Sequence, residues 1–257
     1  MTSTYGVLGV GSLAGFIVTG LCDGVDDPPS IVLSPRNAEV SARLAAAYPT
    51  VTVAADNQAV LDESNVVLVL LRRAHSDVIG ELTWRPDHVV VSAVAGLPVS
   101  RLAELVAPAR DVARAVAMPA VATRSSRTPV HPPVPAAMEL FERLGGVIPV
   151  EGADEFEAIF TSMGTVAPFF EYLKVLADFL VAHGVGPDDA QRLVADTFVG
   201  AVGQLRGREH PDFSEIIREN APPGGGNEQL TNLMREEDVF GAMARAVDEV
   251  HRRLSAG

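Results

Sequence analysis

The chain has one cysteine, Cys22, in 257 residues, which excludes an internal disulfide and leaves no thiol cluster for a structural metal. That scarcity fits a reducing compartment, and the cytoplasm is the expected location. Long apolar runs are also missing. Stretches such as 66–71 are far too short to cross a bilayer. No basic segment followed by an apolar one opens the sequence, so no membrane partner is expected. Positive charge is scarce: 20 Lys and Arg against 33 Asp and Glu give a formal charge of −13. This disfavours non-specific contact with nucleic acid or anionic lipid, and no nucleic-acid partner is expected. Internal repeats and low-complexity tracts are absent. What is abundant is apolar side chain, 47% of the chain, ample for a packed core in one large domain or two modest ones.

The chain opens with an apolar run, Tyr5 to Leu8, that breaks into Gly9-x-Gly11-x-x-Ala14 and continues with helical spacing through Phe16, Ile17 and Leu21. This reads as strand, tight turn and helix. Gly9 permits the turn, Gly11 lets backbone approach a pyrophosphate, and Ala14 lets helix and strand pack closely. Phosphates would sit on the helix N-terminus at Ser12 and Leu13. A second strand, 31–33, ends in Ser34-Pro35-Arg36-Asn37. An acidic residue here would take a ribose 2′-hydroxyl, whereas a cation accommodates a 2′-phosphate. Ser34, Arg36 and a helix-capping Asn37 favour NADP over NAD, the plain alternative being a surface arginine.

Further short strands follow at 51–53, 66–71, 88–92 and 111–116, alternating with helical segments. The unbroken apolar character of 66–71 suits a parallel strand covered on both faces. Strand ends of this kind line a ligand crevice, which brings Leu70, Leu71 and Arg72 to the nicotinamide side; Arg73 reads as solvated. The small-residue turn Ala93 to Gly96 lies beside them. The proline-rich stretch from Met118-Pro119 to Pro135 reads as irregular, with His131 a loop residue. The alternation predicts an α/β fold, a doubly wound parallel sheet over residues 1–152. Residues 153–257 carry helical spacing instead, as in Leu173, Leu176 and Leu180 or Leu193, Phe198 and Val202. This predicts an all-helical second domain. Its helices are too apolar for a solitary small domain, and a homodimer through them is expected.

In this order and spacing the sequence resembles the pyrroline-5-carboxylate reductase family. Gly9 to Ala14 is similar to the family's Gly-x-Gly-Asn-Met-Ala turn, Ser34 and Arg36 to its Ser-x-Arg, and Asn57 to its adenosine-side Asn. Leu70 to Arg73 stands for its Ala-Val-Lys-Pro, Ser92 to Gly96 for its Ser-x-x-Ala-Gly, Met118-Pro119 for its Met-Pro-Asn, and Pro223-Gly224-Gly225 for its Pro-Gly-Gly loop. The resemblance implies a Rossmann domain joined to a helical dimerisation domain. It implies an NADP-dependent oxidoreductase acting on CH–NH groups, which reduces the C=N bond of pyrroline-5-carboxylate with NADPH to give proline. The cofactor contacts so implied are Gly9, Gly11, Ser12, Leu13, Ser34, Arg36, Asn57, Leu70, Leu71, Arg72, Ala95 and Gly96. The substrate contacts are Met118, Pro119, Gly225, Gly226 and Asn227.

The substrate half departs from the family. Ser162 to Pro168 replaces its Ser-Gly-Ser-Gly-Pro-Ala-Tyr, 222–227 replaces its Ser-Pro-Gly-Gly-Thr-Thr, and Ala120 replaces the Asn of Met-Pro-Asn, whose usual preceding Arg is Val116. Asn227 and the N–H groups of Gly225 and Gly226 are expected to receive a carboxylate. Glu171 is expected near the reacting ring, hydrogen-bonding an amine or iminium, or serving as a general acid. Its plain alternative is a helix glutamate paired with Lys174. Glu171 and Asn227 are therefore the candidate catalytic residues. The alternatives to proline formation are reduction of a different imine in specialised metabolism, or a non-catalytic NADP-binding paralogue.

Overall fold

A computed structural model describes residues 3–205, 208 and 210–255. The described residues divide into two compact units, one of residues 3–160 with 253–255, the other Thr161–Arg252. The first unit holds strands β1 (Tyr5–Leu8), β2 (Ile31–Leu33), β3 (Val51–Val53), β4 (Val66–Val69), β5 (Val89–Ser92), β6 (Asp111–Ala115), β7 (Thr128–His131) and β8 (Val147–Pro149). Their order in the sheet is β3-β2-β1-β4-β5-β6-β7-β8. Every pair is parallel except β6 with β7, which run antiparallel. Helices α1 (Ser12–Cys22), α2 (Ala38–Ala47), α3 (Asn57–Asp62), α4 (Val99–Leu105) and α5 (Pro135–Glu142) connect them, with 3₁₀ segments at Arg73–Glu81 and Pro119–Thr123. Helix α6 (Ala153–Met163) lies for most of its length in the first unit.

Strand β4 shows why the sheet is covered on both sides. Val66 and Leu68 join the cluster built around Ile17, Leu21 and Phe141, while Val67 and Val69 join the opposite cluster around Ile79, Trp84 and Leu102. Each fully buried aliphatic side chain of this size contributes about 1.5–3 kcal/mol. Helix α1 lies close against the 119–123 segment, because a Cβ on Gly20 would stand 2.2 Å from the Val121 carbonyl oxygen. Arg124 then donates from Nη1 to the carbonyls of Gly20 at 2.7 Å and Asp23 at 3.1 Å, meeting acceptors that the end of α1 leaves open.

The proline-rich stretch expected to be irregular contains strand β7. Pro129 is tolerated there because the ladder asks only for its carbonyl, which accepts the Val116 N–H at 3.2 Å. His131 ends this strand and is no loop residue: its Nδ1 lies 2.9 Å from the Val150 carbonyl and its ring 5.7 Å from that of Phe156. Opposite His131 in the ladder is Arg114. Its buried guanidinium pairs with Glu157 and lies over the Phe156 and Phe160 rings at 4.8 and 5.6 Å, tying α6 to the sheet.

His88 is buried beside β5. Its Nδ1 accepts the Arg85 N–H at 3.0 Å, so Nε2 carries the hydrogen toward the Leu61 carbonyl at 3.0 Å, and the ring is neutral. Burial, chiefly, pushes its pKa below the ordinary 6.5. The unfolded chain therefore binds this proton at higher pH than the folded one. The stabilisation is complete above about pH 6.5 and drains away as pH falls toward the folded value, by about 1.4 kcal/mol per unit of depression. Thermal midpoints read against pH are expected to fall more steeply below 6.5 for the wild type than for His88→Gln; parallel curves would refute this.

The second unit contains α7 (Val166–Ala182), α8 (Pro187–Gly203), α9 (Phe213–Asn220), α10 (Gly226–Glu236) and most of α11 (Val239–Ser255). Small side chains let α7 and α8 approach closely: Ala177, Ala190 and Val194 are buried, flanked by Leu173, Leu176, Leu180 and Phe198. Much of the remaining apolar surface is bare, with Val199 74%, Phe170 61%, Val175 60% and Phe179 59% exposed. Among the described residues no helix is long and apolar enough to cross a membrane.

Candidate functional site

The strand order reverses between β1 and β4, since the chain builds outward from β1 in one direction through β2 and β3 and then starts again on the other side at β4. Ligand crevices of open α/β sheets lie at the carboxyl ends of the strands flanking such a reversal. Gly9 turns the chain there with φ +93°, and a Cβ on it would meet the Leu70 carbonyl oxygen at 2.8 Å, so the turn fits against β4 only without a side chain. The turn is braced from β2: Gly9 N–H donates to Ser34 Oγ at 3.1 Å, and Asn37 Nδ2 donates to the Val10 carbonyl at 2.9 Å. Two expectations change accordingly. Ser34 is 1% exposed and holds the turn from behind, so the charged group that this segment leaves exposed is Arg36. Asn37 makes no cap with its side chain.

Beyond the turn, α1 begins without a side-chain cap among the described residues. Gly11 is its N-cap, no side chain caps it, and no acidic residue occupies its first turn. Space beside Gly11 is open to 4 Å. The backbone N–H groups of Ser12 and Leu13 have no intrahelical acceptor, and the helix dipole adds a positive field. Arg36 follows β2 and Arg72 and Arg73 follow β4, on the two sides of the turn. All three are exposed, and among the described residues none is in an ion pair. In a chain of net charge −13 this edge of the sheet is a local exception suited to a polyanion. Asn57 opens α3, Leu70 and Leu71 are half-buried behind β4, Ala95 and Gly96 turn after β5, and Met118-Pro119 follow β6. The fold thus collects the candidate residues of the first unit along one edge.

In the second unit, Glu171 is exposed on α7. Its expected partner Lys174 is bound elsewhere: Nζ contacts Asp178 at 2.6 Å, and that hydrogen bond, before any effect of Glu171, raises the lysine's pKa. The glycine loop leads into α10. Gly224 has φ +78°, and a Cβ on Gly225 would stand 2.9 Å from the Pro222 carbonyl oxygen. Asn227 has one amide hydrogen engaged within the loop, where Nδ2 donates to the Asn220 carbonyl at 2.8 Å. Gly225 N–H is likewise engaged, by the Pro222 carbonyl at 3.0 Å. The N–H groups of Gly226, Asn227 and Glu228, in the first turn of α10, have no intrahelical acceptor. Glu228, which sequence reasoning passed over, accepts the Gly224 N–H at 2.7 Å. A signal for it exists: glutamate three residues beyond an N-cap is capping-box spacing, and Gly225 is that cap.

Comparison with known proteins places both halves. The family described as pyrroline-5-carboxylate reductase dimerisation matches residues 154–256, and that described as NADP oxidoreductase, coenzyme F420-dependent, matches residues 4–96. A pyrroline-5-carboxylate reductase of Lophium arboricola is 26% identical over 293 residues, covering 96% of this chain and 90% of the relative. Among solved structures, 1-pyrroline-5-carboxylate reductase of Streptococcus pyogenes superposes with a TM-score of 0.82 at 19% identity, over 99% of both chains. The Plasmodium falciparum pyrroline carboxylate reductase, solved with NADP bound, gives 0.79 at 14% identity, over 99% of this chain and 97% of that one. With a glycine turn at the reversal of its sheet and a helical half that matches the dimerisation family, the chain is similar to pyrroline-5-carboxylate reductases over nearly its whole length.

Proposed function

We propose that this protein is an NADP-dependent oxidoreductase that reduces the C=N bond of a cyclic imine, with pyrroline-5-carboxylate the reference substrate of the family it resembles. The observation that carries the reading is the uncapped start of α1 behind the Gly9 turn, open at Gly11 and flanked by Arg36 and Arg72. Ser12 and Leu13 would hold the pyrophosphate on backbone N–H groups, and Arg36 a 2′-phosphate. Asn57 lies on the adenosine side, and Leu70, Leu71, Ala95 and Gly96 on the nicotinamide side. Bound NADPH supplies the hydride, and the chain's own work is to orient the reactants. In the first unit, Met118 and Pro119 would serve the substrate. Exposed and without a lysine partner of its own, Glu171 would hydrogen-bond the imine nitrogen, whose protonation makes the ring carbon electrophilic.

The apolar surface of the helical unit supports a homodimer, as the matched dimerisation family suggests. A monomeric protein leaving this many large apolar side chains exposed would be unusual.

The test is NADPH consumption, followed by loss of its near-ultraviolet absorbance, with a panel of cyclic imines. Turnover of at least one, faster with NADPH than NADH, is expected. Tight NADPH binding without turnover of any imine would replace this reading by the binding-only one.

A further inference from the structure

Helices α9 and α10 flank a cavity of about 180 Å³ that the reductase reading leaves unused. From α9 come Ile217 and Arg218, with Ala221 just beyond its end. From α10 come Glu228, Asn232 and Arg235, whose spacing of four and then three residues puts them on one helical face. Arg218 and Arg235 lie in the last turns of their helices, where the free carbonyls favour a cation.

Two guanidiniums and a carboxylate thus line one small space. Among the described residues none of the three is in an ion pair, whereas Arg208, Arg245 and Arg252 of the same unit each have a carboxylate partner. Glu228 accepts the Gly224 N–H through Oε2 at 2.7 Å, and its charge is otherwise unmatched within the cavity. Arg235 donates from Nη1 to Asn232 Oδ1 at a long 3.4 Å, which leaves most of its N–H donors open. Seven residues of helix set the Cα atoms of Glu228 and Arg235 about 10 Å apart, so the cavity has a negative and a positive end.

A ligand that completes this arrangement carries both signs. A phosphate or a dicarboxylate would suit the arginines and meet Glu228, while a simple amine would meet two guanidiniums. An α-amino acid presents a carboxylate to Arg218 and Arg235, in charge-assisted hydrogen bonds, and an ammonium to Glu228. Drug-sized ligands take about 300–1,000 Å³, so the space admits a small molecule, and Ile217 and Ala221 suit a short aliphatic side chain. We propose that this cavity binds a small aliphatic α-amino acid as its zwitterion. The inference stands apart from the reductase reading and does not need it.

The experiment is titration calorimetry on the full chain with L-valine and its two single-charge counterparts, 3-methylbutanoate and 2-methylpropylamine. Valine is expected to bind the wild type at least about tenfold more tightly than either counterpart, since each lacks one charge-assisted contact. Arg218→Gln and Arg235→Gln, at exposed positions with no ion pair to lose among the described residues, should each weaken valine about tenfold or more. Glu228→Gln should weaken valine and leave 3-methylbutanoate as tight or tighter. Absence of valine binding up to about 10 mM overturns the proposal. So does either counterpart binding as tightly as valine, or valine affinity that none of the three variants changes, which would put the ligand elsewhere on the chain.

Discussion

Replacing Arg36 by alanine should weaken NADPH binding roughly ten- to a hundredfold while changing NADH binding by less than about twofold. A charge-assisted contact to a phosphate is worth about 1.5–3 kcal/mol, and each 1.4 kcal/mol is about a factor of ten in Kd. Three structural facts direct the effect to the 2′-phosphate. Arg36 follows β2 on the side of the reversal away from β4, it is exposed, and its neighbours Ser34 and Asn37 are occupied in bracing the glycine turn. Removing its side chain leaves that brace intact, so the open start of α1 should survive. Titration calorimetry with both dinucleotides decides the matter. Equal losses for the two would show that Arg36 serves the shared part of the cofactor, or the fold.

Val199→Arg should convert the protein to a folded monomer. Val199 is 74% exposed on α8, on a unit whose Phe170, Val175, Phe179, Leu193 and Val202 are also more than half exposed. In one copy the substitution touches little, so helix content should persist. In a dimer it buries an unpaired guanidinium at an apolar contact. Hot-spot positions of this kind change association by about 2–4 kcal/mol, raising the dimer Kd by two orders of magnitude or more. Light scattering on the eluting protein gives the mass directly. A wild type that elutes as a monomer, or a variant that remains dimeric, would remove helix α8 from the interface.

Where the candidate residues of the first unit fall in the fold was legible in advance. Gly9, Gly11, Arg36 and Arg72 follow strands whose apolar runs are unmistakable, and a parallel sheet delivers consecutive strand ends to one edge. The helical half was equally plain from the spacing of Leu173, Leu176 and Leu180. Strand β7 was not, because Pro129 reads as a breaker unless its partner needs only a carbonyl. Nor was the place of Arg114, an arginine in an apolar strand whose justification, Glu157 and two phenylalanine rings, is a helix away.

Local pattern alone determined the fold class, the nature of each half and the residues gathered at the carboxyl ends of the strands, since turn chemistry and apolar period act over a few residues. Only tertiary structure decided which polar groups there remain open. Ser34, Asn227 and Gly225 look available in the sequence, yet each is engaged by a partner brought to it by folding, and Glu228 turns out to accept a hydrogen bond from its own loop. A hydrogen-bonding group has few positions to offer, and which neighbour occupies them is settled by packing.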